Sequence, residues 1–550
     1  MIIPSDAVER EQFYLDLIEK CYVSRDERRG DYASLRSYYL FGAGPNDSPA
    51  HFNKIYPHID QLVSFMYSAD TTRFSINLGA AVNQEEHNKV PVLTHYLNDE
   101  WNNSNADQVF GIGLTWAFVY NCSYIKLVRR NKGITPYMVD PGSIGVLRED
   151  VMYTDRQEAF VHTYYITRSD LAARLYSHPN RKALMKRITA QKYKPTEIPN
   201  GVDKIIMSAV DPTIYGNVNL DLSGTNRMKP EVAEDTIEMR ELYVWNDQTQ
   251  DYQVVTIAEP DVVIYDRANE TMFLKGELPF IQICPNPMPD YYWGQSEVSR
   301  LIYLQEMRNK RMAEILDLLS KQVSPPTTLM GFTGILDEKN FALNRAGGLL
   351  STDMPNAKVE RLAPNMPQDL FRELNEIDSM FAEASGISSV LSGRGEQGVR
   401  SQGHASQLAR LGSSRAKKRA LVVEDALEKM ATLYLKVMQQ DDTTVLTGVD
   451  GLRFLPEQFT KDYVVKVDAH SNSPIFMEDL RSLAFNLFKA QAIDKESLLD
   501  LLEPPMKQLL KDRLKKMEEK KGKQQEAQAA AQQAEKQAPA KGKPDLKQVG

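Results

Sequence analysis

Apolar residues recur at three- and four-residue spacing through most of the first 120 positions of the chain. Phe13, Tyr14, Leu17 and Ile18 predict a helix over 7–21, and similar patterns occupy 59–67, 92–101 and 107–120. The period then shortens. β-Branched and aromatic runs at 122–128, 159–166, 241–246, 252–257 and 262–266, separated by turn residues, predict strands, so a mixed α+β region fills roughly residues 1–290.

A proline-punctuated stretch, Leu278 to Ser296, leads into a helix predicted over 296–320, roughly 38 Å long. Val298, Leu301, Ile302, Met312, Ile315, Leu316 and Leu319 form its apolar stripe, while Arg300, Glu306, Arg308, Lys310, Arg311, Glu314 and Asp317 mark flanks expected to be exposed. Pro325 and Pro326 end it. A compact insertion over 327–365 follows, with strand candidates at 328–330, 348–350 and 359–362. A second amphipathic helix is predicted over 367–384. Leu370, Leu374, Ile377, Phe381 and Ala384 line one face, and Asp369, Glu373, Glu376 and Glu383 are left to the others. Six glycines between Gly386 and Gly412 then give a backbone free to visit positive φ. A third long helix, with Val422, Val423, Leu427, Met430, Tyr434 and Val437 as core positions, runs without proline to Gln439. Short strands such as 463–467 and further helices near 477–490, 495–502 and 506–520 complete the pattern.

Charge changes this picture at three places. The formal net charge is −8, yet Arg394, Arg400, Arg410, Arg415, Lys417, Lys418 and Arg419 face the single acid Glu396 between them, a local field that suits a polyanion. The stretch 168–194 is also basic and reads as a solvated helical face, with a nucleic-acid site as the alternative. From Met506 onward twelve Lys/Arg outnumber six Asp/Glu, and the Ala/Gln-rich end lacks the large apolar residues that a core requires. No segment approaches the ~18 apolar residues of a membrane span, and the first residues lack a signal peptide's layout, so a cytoplasmic site of synthesis is expected. Cys21, Cys122 and Cys284 are widely scattered, which fits buried hydrophobes rather than a zinc site.

Motifs for catalysis are missing. There is no phosphate-binding G-x-x-x-x-G-K-[ST], no H-E-x-x-H, no C-x-x-C and no G-x-S-x-G, and the histidines lack metal spacing. Gly393 to Gly398 does match G-x-G-x-x-G, but the preceding residues make a poor strand, and the position about 20 residues on is basic where a ribose would want an acid. We therefore expect no catalytic residue, cofactor or metal.

The order of these parts resembles the portal protein of tailed bacteriophages, the head-to-tail connector. The resemblance is carried by Glu277 to Ile281 ahead of Tyr292-Trp293-Gly294-Gln295-Ser296, the long helix with Gln305 and Asn309, Pro325-Pro326, and Glu383-Ala384-Ser385-Gly386-Ile387 through Gly393 with its ensuing helix. It implies an α+β, multidomain ring subunit: an N-terminal wing (1–293), first stem helix (294–320), clip (321–366), second stem helix (367–385), tunnel loop (386–403), long wing helix with following strands (404–475), helical crown (476–525) and low-complexity tail (526–550). It further implies a dodecameric ring at one capsid vertex, assembled in the host cytoplasm, through which double-stranded DNA is packaged and ejected. The implied partners are the terminase large subunit, major capsid and scaffold proteins, and tail adaptors, with no membrane involved. On that frame Arg394, Arg400 and His404 touch DNA phosphate non-specifically, and Asp369, Glu373, Glu376 and Glu383 form a low-adhesion channel wall, the ordinary solvated helix face being the other reading of these acids. Two other functions remain open on sequence alone: a cytosolic nucleotide-binding enzyme using Gly393–Gly398, and a different ring-forming virion adaptor.

Overall fold

Asp6 starts the first helix by accepting hydrogen bonds from the Val8 and Glu9 N–H groups, 3.1 and 3.2 Å, and Gly42 ends it in the left-handed region at φ 65°. The structure, a computed structural model, describes residues 1–45, 47, 52–67, 72–78, 84–130, 133–188, 236–323, 327–330, 358–361, 365, 367, 369–385, 414–440, 445–447, 453–456, 463–467, 484–490, 492–495, 498–499 and 513–514. This first helix, α1 (Ala7–Phe41), is followed by α2 (Ile55–Met66), strand β1 (Phe74–Leu78), α3 (Gln84–Asn103) and α4 (Ala106–Tyr120). Next come β2 (Ser123–Arg130), β3 (Gly133–Val139), β4 (Ile144–Val146), β5 (Ala159–Thr167), two short helices α5 (Arg168–Arg174) and α6 (Arg181–Arg187), then β6 (Thr236–Asn246), β7 (Asp251–Ala258), β8 (Val262–Ala268) and β9 (Phe280–Ile283). The long α7 (Glu297–Val323), β10 (Thr327–Met330), β11 (Lys358–Arg361), α8 (Asp369–Ser385), α9 (Ser414–Met438), β12 (Leu446–Thr447), β13 (Arg453–Phe454) and β14 (Tyr463–Val467) complete the order. The chain separates into two compact units, Met1–Ser473 and Pro474–Gly550; the first holds all these elements, and residues 484–489 of the second are helical.

Alternation along the strands builds the layers. Strands β4 to β8 form an antiparallel meander in sequence order, so successive side chains point to opposite faces. Ala159, Val161, Leu242, Val244, Val255 and Ile257 face α1, where Tyr14, Leu17, Ile18 and Cys21 cover them. Phe160, Tyr243, Tyr252 and Val254 face the other way, onto Tyr124 and Phe280 of the three-stranded sheet β3-β2-β9 and onto Tyr292 and Trp293. Further along that second face, Ile166, Ile237, Met239 and Val262 are covered by Leu171, Leu175, Leu184 and Ile188, which fixes α5 and α6 to the sheet.

Charged side chains enter these cores where sequence reasoning expects surface. Helix α1 is much longer than 7–21 because its second half buries cations. Arg28 stacks on Trp293 at 3.0 Å from the ring centroid and donates to the Ser24 and Ile144 carbonyls and the Tyr32 hydroxyl. Between the two sheets Lys126 pairs with Glu241, whose oxygens also accept from Tyr164 (3.0 Å) and Tyr243 (3.1 Å). Burial pushes the Glu241 carboxyl up, but Lys126 and His162 outweigh it and hold the group well below the usual carboxylate range. Strand β1 pairs antiparallel with β14, Phe74 opposite Val467 and Leu78 opposite Tyr463, an interaction that no local pattern announced. Cys21 and Cys122 are buried and Cys284 is half-buried. The strand candidate at 348–350 lies outside the described residues.

Two buried groups set opposite pH dependences. Burial lowers His162 from 6.5 to about 4, so acidification from 6.5 toward 4 costs stability as the unfolded chain takes up the proton. Burial raises Asp140 from 3.8 to about 6 against the Gly142 N–H and nearby Arg36, Arg29 and Arg28, so acidification from 6 toward 3.8 restores stability. Each effect is on the order of 3 kcal/mol, and they largely cancel. Asp140→Asn keeps the oxygen that accepts from Gly142 but removes the compensating titration. Chemical denaturation should show the variant losing about 3 kcal/mol more stability between pH 6.5 and 4 than the unsubstituted chain does.

Candidate functional site

The sequence predicts two amphipathic helices around a small β insertion, and the structure packs them together. Helices α7 and α8 run antiparallel, and β10 and β11 pair antiparallel beyond their shared end, Thr327 opposite Arg361. On α8, Leu374, Ile377 and Phe381 are buried, as their four- and three-residue spacing requires. Charge fixes the register of the hairpin. Arg308 Nε donates to Asp378 at 3.0 Å, with Lys54 Nζ on the other Asp378 oxygen at 3.1 Å, and Arg311 Nε donates to Glu373 at 2.8 Å. Arg308 is therefore buried, not the exposed flank expected from the helix pattern. Leu316 and Leu319, expected in the apolar stripe, are instead 42% and 39% exposed, and Val323 is 81% exposed.

The amides singled out in the sequence anchor α7. Gln305 accepts from the Lys54 N–H (3.0 Å) and donates to the Phe52 carbonyl (3.0 Å), and Asn309 donates to the Gly42 carbonyl (2.7 Å). These bonds tie the stem of the hairpin to the connection between α1 and α2.

At the root of α7 the chain turns through Gly294 at φ 68°, where an added Cβ would lie 2.4 Å from Cys284 Sγ. Ser296 then caps the helix, accepting from the Ser299 N–H and donating to the Val119 carbonyl. Glu297, the next residue, has no exposed surface. Its Oε2 accepts from Arg419 Nη2 of α9 at 2.9 Å and from Asn286 Nδ2 at 3.2 Å; Arg300 Nη1 lies at 3.5 Å, and His58 Nε2 of α2 is 3.8 Å from Oε1. Burial raises the Glu297 carboxyl, but His58, Arg419 and Arg300 outweigh it and the group titrates below its ordinary value. Three helices thus meet on one carboxylate. The sequence pattern grouped Arg419 with the free positive field after the glycine loop; the structure removes it from that field, because Glu297 takes its charge. Lys418 is exposed.

The four acids proposed for a channel wall share α8 but differ in partners. Asp369 lies 4.0 Å from Arg372, Glu376 lies 3.5 Å from the same side chain, Glu373 is held by Arg311, and Glu383 is exposed. Arg394, Arg400 and His404, like the whole Gly393–Gly398 string, lie outside the described residues. Among the described residues no group of three or more His, Cys, Asp or Glu is placed to hold a metal, and no helix is long and apolar enough to cross a membrane.

Comparison with known proteins adds a family. The model of the phage SU10 portal protein family matches residues 78–548, most of the chain. Among solved structures, one chain of the virion of a native gene transfer agent particle is 12% identical with a TM-score of 0.42, and one chain of the neck of that particle, computed with C12 symmetry, is 10% identical with a TM-score of 0.40. Each alignment covers 86% of this chain and 93% of the other. Among curated proteins, none matches.

Breaking the root should be costly. Arg419→Met leaves Glu297 buried without its closest cation, a loss of about 3–5 kcal/mol, and adding Glu297→Gln should recover much of it because the uncompensated charge is gone. Denaturant titration of both variants and of Glu297→Gln alone checks this; a double-variant loss equal to the sum of the two single losses would show that the pair carries no coupling.

Proposed function

We infer a role from family and fold together: the chain belongs to the phage SU10 portal protein family, and it serves as the connector subunit of a tailed-phage virion. The family match over residues 78–548 carries this reading. In the finer form we propose, twelve copies close into a ring at one capsid vertex, double-stranded DNA passes through the ring during packaging and ejection, and the ring docks the terminase large subunit, the major capsid and scaffold proteins, and tail adaptors. A head-to-tail contact that closes on rotation produces such a ring. Leu316, Leu319 and Val323 on α7 and Phe371 and Met380 on α8 support it, since their apolar surface is exposed on a single copy and fits burial between neighbours.

We assign α7 and α8 to the stem, β10–β11 to the clip, the α+β layers and α9 to the wing, and residues 476–525 to the crown. The acids of α8 form the channel wall, with Asp369, Glu376 and Glu383 as its exposed members and Glu373 half-exposed beside Arg311. A weakly adhesive wall lets DNA slide, because each strong cation–phosphate contact adds salt-dependent affinity. The loop at 386–403 supplies Arg394, Arg400 and His404 as a cationic collar; this assignment rests on charge and glycine content alone. The portal role is structural, and no step of it calls for a catalytic residue or cofactor.

Particle mass with negative-stain averages tests the ring: twelve chains of 62.4 kDa give about 750 kDa with a central channel, and a stable monomer that binds nucleotide would overturn the connector reading. Heads assembled with Arg394→Ala and Arg400→Ala should lose packaged DNA more readily than unsubstituted heads; unchanged retention counts against the collar.

A further inference from the structure

The two short helices α5 and α6 carry a concentration of positive charge that the connector reading does not use. Arg168, Arg174, Lys182, Lys186 and Arg187 are exposed and Arg181 is half-exposed. None of the six meets a carboxylate among the described residues. The one acid on these helices, Asp170, is engaged at the helix start, where its backbone N–H donates to Thr167 Oγ1 at 3.2 Å and its carboxylate accepts from the same hydroxyl at 2.8 Å. On the α1 side of the sheet, away from these helices, Glu238 and Asp261 hold Arg240, and Asp266 holds Arg10.

Several exposed cations elsewhere in this chain are paired, while others such as Lys20, Lys275 and Lys310 stand singly rather than in a cluster. Arg148 pairs with Asp150, Lys321 with Asp317, Arg372 with Glu376, Lys429 with Asp425 and Lys466 with Glu428. An ordinary solvated face mixes both signs in this way. Helices α5 and α6 segregate them, in a chain of net charge −8, and hold the cations on a platform fixed by Leu171, Leu175, Leu184 and Ile188. Cations left unpaired on a rigid base repel one another, a cost that a bound polyanion removes.

We propose that α5 and α6 form a docking surface for the phosphate backbone of double-stranded DNA, separate from the channel. The choice of DNA over an acidic polypeptide follows from what the patch lacks. Protein partners are held at a buried apolar or aromatic centre with charges at the rim. Tyr176 is the only large apolar side chain strongly exposed on or between these helices, and Arg181 already stands over its ring at 5.4 Å. The surface therefore recognises charge alone, and four of its six cations are arginines, whose forked guanidinium groups suit phosphate. That the polyanion at hand is DNA rests on the connector reading.

Closed circular duplex DNA tests the proposal, because it cannot thread a preformed ring and so reports on outer surfaces. Binding of the purified full-length ring should fall steeply with salt. In the triple variant Lys182→Glu, Lys186→Glu, Arg187→Glu, the slope of log K against log salt should become shallower by roughly 2–3, at about 0.9 for each phosphate no longer neutralised, with at least a ~10-fold loss of affinity near 0.1 M salt. The corresponding glutamine variant should move the same way by less, and glutamates at the paired Lys321, Lys429 and Lys466 should leave the slope unchanged. Ring mass measured on each sample separates this proposal from the connector reading. An intact ring whose triple variant binds circular DNA as the unsubstituted protein does, or that binds none in either form, overturns the docking surface and leaves the connector standing. Displacement by polyglutamate as effective as by DNA of matched charge overturns the assignment to nucleic acid in favour of an acidic polypeptide.

Discussion

A carboxylate with no exposed surface holds the root of the helical hairpin, and four segments of the chain converge on it. Glu297 begins α7, Arg419 lies near the start of α9, His58 sits on α2, and Asn286 belongs to the turn that follows β9. Burying such a charge costs several kcal/mol unless its neighbours compensate, so the arrangement constrains all four segments at once. Hydrophobic packing alone would hold these helices near one another but would tolerate sliding; a charge that must meet particular donors does not. Asp378 and Glu373 repeat the device further along the hairpin with Arg308 and Arg311, which makes the seam between α7 and α8 a ladder of ion pairs rather than a purely apolar contact.

Much of the fold was legible because strand alternation and helical spacing report burial directly. Phe160 and Val161 face opposite layers because neighbouring residues on a strand must, and Leu374, Ile377 and Phe381 share a face because α8 is a helix. The illegible parts are those where charge is buried. Arg28 reads as surface in any local window; only Trp293, far along the chain, explains it. The same holds for Arg308, Glu297 and Arg419, each of which resembles an ordinary solvated helix residue until its partner is brought in by the fold. Conversely, Leu316 and Leu319 obey the apolar period yet are uncovered in the fold.

Of the candidate site, the hairpin and its acids were readable from spacing, and the family resemblance gave them an order. Gln305 and Asn309 stood out in the sequence without a role; their bonds to the carbonyls of Phe52 and Gly42 supply one. The pairing of Glu373 with Arg311 shows why a count of acids on a helix does not measure its field: a carboxylate that already holds a guanidinium contributes little repulsion to anything outside.

Strand β1 has its partner in β14, so Leu78 waits for Tyr463 to be made. At ordinary translation rates the interval is on the order of a minute, during which Phe74 to Leu78 lacks its hydrogen-bonding partner. An unpaired strand edge is a template for other chains, and Phe74 to Leu78 presents one until its partner arrives. Closure of this pair therefore acts as a timer: the chain cannot complete its own first strand until Tyr463 to Val467 has left the ribosome.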